Sequence, residues 1–307
     1  MNQNMNNTGY ERKGEQTLFG KNSNTLQQRK KRKALKLTGI IFAGFAALLI
    51  LAFVSITVIY PAILRSANRI NTPNGIDSME VVEIGGIQQM LYFRGQNVEN
   101  PVILVLHGGP GRADMAILHN YQFELEEHFT FVRWDQRNAG KTFFLSDPHE
   151  VLETMTFELV LNDAYEVTQY IREKLGQEQI IILGHSWGSV LGTALVQNYP
   201  QYFSAFISVG QAVSHIENEQ LNLETVLEAA RANGDSRSIA AVEALSRPQG
   251  SFEEYSEDWI SHITGVNALM ARDGYESNFL QMAWLTLHSP FYTLREKMHS
   301  FTVNIFY

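Results

Sequence analysis

The chain has 307 residues, a formal net charge of −8 and no cysteine. This length allows one large domain or two small ones. Without cysteine, the chain can form no disulfide, no cysteine-ligated metal site and no lipid-anchored N-terminal cysteine.

The first 36 residues are basic and poor in apolar side chains. Nine Lys and Arg against two Glu give them a net charge of +7, so the remainder carries −15. Asn, Gln and Lys dominate residues 1–28, a composition typical of disorder. The basic run at residues 29–33 and Lys36 could by itself bind nucleic acid. Because an apolar segment follows directly, we instead predict a disordered basic tail over residues 1–36, and no nucleic-acid partner.

Residues 37–64 contain no charged side chain. About 20 apolar residues cross a bilayer as a helix, so this stretch is long enough. Buried core helices rarely run so far without a polar face, and a cleaved signal peptide has an apolar region of only ~7–15 residues. We therefore predict a retained signal anchor over residues 37–64 with the lipid bilayer as its partner. The basic run before it predicts a single-pass cell-membrane protein with a cytoplasmic N-terminus and an extracellular remainder.

The next residues predict a linker and then a sheet. Residues 65–78 are polar and contain a Pro-Asn-Gly turn, which indicates a linker. Strand patterns on both sides of Gly85-Gly86, at residues 79–84 and 87–93, predict a β-hairpin. Further strands are predicted at residues 101–106, 129–134, 180–183 and 204–209, with helices at 120–128, 157–175 and 190–199. Alternating strands and helices predict an α/β fold with a mostly parallel sheet, here over residues 79–210.

The pattern changes after Gln211. Helices separated by glycine and proline are predicted at residues 222–232, 237–245, 252–263 and 275–287. No strand pattern recurs until the last residues. We predict that residues 211–307 are an incomplete helical cap over the strand ends.

A serine motif lies between a predicted strand and a predicted helix. Ile180-Ile181-Ile182-Leu183 is followed by Gly184-His185-Ser186-Trp187-Gly188. In this context a Gly-x-Ser-x-Gly serine sits on a sharp turn and becomes a nucleophile. The turn is so tight that Gly184 and Gly188 have no room for side chains. Ser186 is therefore the candidate nucleophile.

A glycine-rich loop, His107-Gly108-Gly109-Pro110-Gly111, follows the strand at residues 101–106. An oxyanion hole next to such a serine takes one N–H from the residue after it, Trp187, and one from the loop after the third strand. Gly109 is the candidate for the second donor. An ordinary glycine-rich turn is the alternative; a phosphate-binding loop is excluded because the Gly-Lys-Ser/Thr ending is missing.

A third motif, Trp134-Asp135-Gln136-Arg137 and the residues up to Thr142, follows the next strand. Asp135 precedes Ser186, whereas α/β-hydrolases have the chain order nucleophile, acid, histidine. We therefore predict a structural role, in which Asp135 and Arg137 brace the glycine loops.

These motifs, in this order and register, resemble the proline iminopeptidase (prolyl aminopeptidase) branch of the α/β-hydrolases, over residues 79–211. The resemblance implies an α/β-hydrolase fold in which Ser186 attacks a carbonyl carbon and Gly109 and Trp187 hold the oxyanion, with no metal and no cofactor. It implies a small peptide or ester substrate, because family members remove N-terminal proline or other residues from short peptides while close relatives cleave esters. The supporting motif residues are His107, Gly108, Pro110, Gly111, Asp135, Arg137, Gly184, His185 and Gly188.

No histidine or carboxylate of this sequence is as strong a candidate for the catalytic triad as Ser186. Ser186 needs a histidine to take its proton and a carboxylate to orient that histidine, and the resemblance implies that both follow the cap, beyond Tyr307. We expect the histidines present to be structural, and Glu217 is a candidate for an unusual acid. The chain is therefore interpreted as a C-terminally truncated serine hydrolase, inactive as given. The alternatives are an esterase or other acyl hydrolase of the same fold, and a catalytically dead surface module that binds a peptide or partner.

Overall fold

The computed structural model describes residues 11–118, 121–244 and 279–302. The chain divides into two compact units, Met1–Ile56 and Thr57–Tyr307.

Helix α1 (Glu11–Val54) makes up all but the last two described residues of the first unit. The side chains of residues 29–54 are exposed with the exception of Ala46, which is half-buried. The helical stretch Arg29–Ala67 has a window of mean hydropathy 2.6 and is long and apolar enough to cross a membrane. Residues 11–36 are helical, whereas their composition predicted disorder. Their Glu, Lys, Arg, Gln and Leu residues are strong helix formers, which accounts for the difference.

A π-helical turn (Ser55–Ile59) contains the boundary at residues 56 and 57, and helix α2 (Tyr60–Ala67) follows in the second unit. The first strand starts at Ile76. The irregular segment between helix and sheet is thus shorter than the linker predicted at residues 65–78.

Six strands form one sheet in the spatial order β1-β2-β4-β3-β5-β6. Pairs β1–β2 and β2–β4 are antiparallel, and β4, β3, β5 and β6 are parallel neighbours, which confirms the predicted mostly parallel sheet. Ile84 lies opposite Ile87 across the two-residue turn of the predicted hairpin. The strand bounds are Ile76–Ile84 (β1), Ile87–Gly95 (β2), Val102–Leu106 (β3), Thr130–Asp135 (β4), Ile180–His185 (β5) and Phe203–Val209 (β6).

The hydrophobic core lies between the sheet and the helices that connect its strands. All residues of β3 and β4 are buried, as expected for central strands with covered faces. Helix α4 contributes Val160, Ala164, Val167 and Ile171, an apolar stripe at helical spacing. The helices are α3 (Pro148–Glu153), α4 (Phe157–Leu175), α5 (Trp187–Asn198), α6 (His215–Ala232), α7 (Ser236–Ala244), α8 (Phe279–Leu287) and α9 (Leu294–Thr302).

The described residues after β6 are mainly helical. Helices α6 and α7 correspond to the first two helices predicted for the cap, and α8 to residues 279–287 of the last one. The helix predicted at residues 252–263 lies outside the described residues. The helix predicted at 120–128 is a short 3-10 turn, Phe123–Glu127.

Candidate active site

Ser186 occupies the turn between β5 and α5. Its backbone has φ 53° and ψ −119°, a conformation that side-chain-bearing residues rarely adopt. The residue is exposed at the end of the parallel strands, where ligands bind in open α/β sheets. This geometry presents the hydroxyl to a molecule in solution.

The glycines beside Ser186 are packed against backbone. A Cβ built on Gly184 would lie 2.8 Å from the carbonyl carbon of Gly188. A Cβ built on Gly188 would lie 2.9 Å from the carbonyl oxygen of His107 and closer still to that of Leu106. Real Cβ atoms almost never come within 3.0 Å of other heavy atoms, so the tight turn requires glycine at both positions.

The glycine-rich loop lies next to the serine because β3 and β5 are parallel neighbours, with Leu106 opposite Gly184. A Cβ built on Gly108 would lie 3.2 Å from the Cβ of Ser186. Gly109 has φ 119°, and the Gly109–Pro110 bond is cis. The N–H of Arg112 donates to the carbonyl oxygen of Gly108 across 3.2 Å, which closes the loop. The structure therefore brings residues 107–111 and Ser186 together.

His107 and Gln136 fix the base of this loop. The backbone N–H of Gln136 donates to Nε2 of His107 across 3.2 Å, so Nδ1 carries the ring proton and donates to the carbonyl oxygen of Gly108 at 2.9 Å. Burial lowers the pKa of His107, which keeps the ring neutral. The indole N–H of Trp187 donates to Oε1 of Gln136 at 3.3 Å. Sequence reasoning missed Gln136, which links the loop to the residue after the serine.

Asp135 and Arg137 form hydrogen bonds and an ion pair with residues outside the glycine-rich loop. Oδ2 of Asp135 accepts from the N–H of Lys141 at 2.7 Å and from the Tyr292 hydroxyl at 3.0 Å. Arg137 pairs with the buried carboxylate of Asp163 and donates to the carbonyl oxygen of Gly85. The two side chains therefore brace the Gly140 and Gly85 turns, and the bonds that hold the Gly108–Gly111 loop come from His107 and Gln136.

No described side chain forms a hydrogen bond with the Ser186 hydroxyl. His185 is exposed beside Gly108, while Nδ1 of His288 bonds with the carbonyl oxygen of Trp284 and His299 packs on Phe143. Glu217 is exposed on α6. His119 and His262 lie outside the described residues. In the described ranges, no three His, Asp or Glu side chains are close enough together to hold a metal ion.

Asp135 predicts a pH dependence of stability. Burial raises the pKa of its carboxyl from 3.8 to about 7. Between these values the folded state binds a proton that the unfolded state does not, so the free energy of unfolding should fall as pH rises from 4 to 7 and then level off. Asp135→Asn keeps an oxygen for both hydrogen bonds and should remove the part of this decline that Asp135 causes, which amounts to a few kcal/mol at most.

Denaturant titrations of the detergent-solubilised protein at several pH values between 4 and 8 measure the effect. Glu99 is exposed, so Glu99→Gln is the matched control and should keep the wild-type slope. An Asp135→Asn variant with the wild-type slope would show that another group causes the decline.

Comparisons with known proteins agree with this architecture. The family model for the alpha/beta hydrolase fold matches residues 101–234. A probable aminopeptidase of Bacillus subtilis is 34% identical over 150 residues, which are 49% of this chain and 46% of that protein. A proline iminopeptidase of Arabidopsis thaliana is 29% identical over 129 residues, 42% of this chain and 31% of that protein. The chain thus spans less than half the length of these two curated relatives.

Among solved structures, a proline iminopeptidase-related protein from Thermus thermophilus superposes with a TM-score of 0.42 at 19% identity, and covers 73% of this chain and 86% of its own. The mostly parallel sheet and the family match at residues 101–234 agree with each other. The matched relatives are an aminopeptidase and a proline iminopeptidase by name. Residues 101–234 thus match the alpha/beta hydrolase fold, and the chain is similar to proteins named aminopeptidase and proline iminopeptidase.

Proposed function

We propose that this protein is a membrane-anchored serine hydrolase that acts as an aminopeptidase, with Ser186 as the nucleophile. The observation that carries the proposal is the backbone of Ser186, held at φ 53° on the turn between β5 and α5 with Gly108 against its side chain. Such strained positions persist only where the surrounding structure fixes them, and they cluster at active sites.

In the proposed reaction, Oγ of Ser186 attacks the carbonyl carbon of the scissile bond and the N–H groups of Gly109 and Trp187 stabilise the oxyanion. Trp187 is the first residue of α5 and directly follows Ser186. Donors fixed before the reaction stabilise the developing charge without reorganising. The bonds of Gln136 to His107 and Trp187 support this role, because they hold both donor segments.

The proton acceptor of Ser186 and the carboxylate that orients it are part of the proposal. We place them outside residues 11–118, 121–244 and 279–302, since no described side chain bonds to the hydroxyl. A longer natural protein that carries this sequence would supply them after the cap, in the chain order of α/β-hydrolases.

The names of the relatives support a peptide substrate, and an ester is the alternative because the same nucleophile and oxyanion hole cleave both. The long apolar helix supports the anchor. The basic residues 29–33 and Lys36 on its N-terminal side favour a cytoplasmic N-terminus and an extracellular hydrolase domain.

Labelling with a fluorophosphonate probe tests the nucleophile in the natural protein, in isolated membranes. We expect covalent labelling that disappears in Ser186→Ala and persists in Ser204→Ala, since Ser204 is an exposed serine on β6. Labelling that survives Ser186→Ala would reject this residue as the nucleophile. An unlabelled wild-type protein would favour the inactive binding module.

The substrate class is tested by comparing prolyl and other aminoacyl arylamides with simple aryl esters. We expect release of the arylamine that depends on Ser186. Turnover of esters alone would assign the protein to the esterases of this fold.

A further inference from the structure

The burial of side chains changes within the apolar helix that was predicted to cross the membrane. Residues 29–54 are exposed on all sides of the helix apart from the half-buried Ala46. From Thr57 onward one face is covered: Thr57 and Pro61 are buried, and Leu64, Arg65 and Asn68 are partly buried. These positions recur at helical spacing, so a single stripe of residues 57–68 packs against protein.

The start of this stripe is held by a buried cation. Lys297, on α9, is only 1% exposed, and its Nζ donates to the carbonyl oxygens of Thr57 and Leu287, both at 3.0 Å. Thr57 belongs to the π-helical turn. Burying an ammonium group is costly unless it is hydrogen-bonded. The two carbonyl oxygens must therefore stay within hydrogen-bond distance of Nζ of Lys297. The ring of Tyr60 makes an edge contact with His288, with centroids 5.0 Å apart.

The end of the stripe is held by an ion network. The guanidinium of Arg65 pairs with Asp77 at 2.8 Å and lies 5.0 Å from the centre of the Phe291 ring. The other oxygen of Asp77 pairs at 2.8 Å with Arg94, a buried residue that also pairs with Glu126 at 2.6 Å. The carbonyl oxygen of Asn68 accepts from Arg94 as well. The last turn of α2 is thus tied to β1 and β2.

We propose that residues 57–67 are a docked helix of the hydrolase domain and that only residues 37–56 cross the bilayer. The proposal rests on the membrane anchor of the proposed function and sets its boundary. About 20 residues at ~1.5 Å each cover ~30 Å, the hydrocarbon thickness of a bilayer. Residues 37–56 contain no charged side chain. The docked helix replaces the last third of the anchor predicted at 37–64 and the start of the linker predicted at 65–78.

Single cysteines test the boundary, and the chain contains no native cysteine to give background labelling. Leu49 and Ile63 are apolar residues of similar exposure, 55% and 60%, on either side of the proposed boundary. Membranes carrying the full natural protein are opened to give access to both faces and treated with a water-soluble maleimide. We expect Leu49→Cys to be protected until detergent is added and Ile63→Cys to be labelled without detergent.

Protection of both cysteines would show that lipid reaches residue 63 and would overturn the boundary while leaving the anchor intact. Labelling of Leu49→Cys, with release of the protein by alkaline carbonate, would overturn the membrane anchor itself. Fluorophosphonate labelling of the same samples tests separately whether Ser186 is a reactive nucleophile.

A second pair of variants tests the docking contact. Thr57→Cys keeps the backbone carbonyl that accepts from Lys297 and is expected to react slowly with maleimide in detergent. Adding Lys297→Met should raise its labelling rate by about tenfold or more, because a hydrogen bond to a charged group is lost. Lys174→Met is the control, since Lys174 makes a more exposed ion pair with Glu80. An unchanged rate in the Lys297→Met background would overturn the docking.

Discussion

Gly188→Ala should destabilise the hydrolase domain by about 3 kcal/mol or more and abolish fluorophosphonate labelling of Ser186. A Cβ at this position would lie 2.6 Å from the carbonyl carbon of Leu106 and 2.9 Å from the carbonyl oxygen of His107. Both are backbone atoms, and Leu106 belongs to a central strand buried on both faces. Because no side-chain movement can relieve this overlap, the backbone itself must shift. We therefore expect a loss of stability at the upper end of the range for overpacking substitutions.

Denaturant titration and probe labelling of the detergent-solubilised natural protein measure the two effects. Gly44→Ala is the control, because a Cβ on Gly44 meets nothing within 4 Å. A Gly188→Ala protein with wild-type stability and labelling would mean that the serine turn does not pack against the end of β3. The placement of the glycine-rich loop beside Ser186 would then fail as well.

The parts of this structure that could be predicted from sequence are those set by local signals. The apolar runs at β3, β4 and β5 became central strands, of which β3 and β4 are buried throughout and β5 is buried at alternate residues. A positive-φ glycine, Gly176, ends α4 where the helical pattern stops. The Gly-x-Ser-x-Gly motif predicts the tight turn directly, because neither of its glycines has room for a Cβ in that turn. Neighbouring residues alone determine these features.

Contacts between distant residues could not be predicted in this way. Tyr292 reaches Asp135 across 157 positions and Lys297 reaches Thr57 across 240. Hydropathy measures whether a helix is apolar, and it does not tell whether protein or lipid covers a given face, such as the one that carries the buried Thr57 and Pro61. The role of Gln136 was missed for a related reason. Its partners, His107 and Trp187, come together only when the parallel strands align.

Arg137→Met should lower the free energy of unfolding by about 3–5 kcal/mol, the usual cost of breaking a buried ion pair by removing one partner. Asp163 is 0% exposed, and its carboxylate pairs with Arg137, with 2.9 Å between Oδ1 and the guanidinium, and accepts from Nε2 of Gln89 at 2.8 Å. Burial already raises the pKa of Asp163 with the arginine present. Without the arginine, folding would bury an uncompensated charge or bind a proton.

The double variant Arg137→Met, Asp163→Asn distinguishes the loss of stability due to the broken ion pair from the loss due to altered packing. It should recover much of the loss, because the asparagine carries no charge to bury and still accepts from Gln89. Lys174→Met, which removes the more exposed pair with Glu80, should cost no more than about 1 kcal/mol. The folded fraction of Arg137→Met should still label with the probe, since Arg137 braces the Gly85 turn and Asp163 and makes no hydrogen bond to the serine loop. Loss of labelling at unchanged stability would instead place this arginine among the groups that touch the substrate.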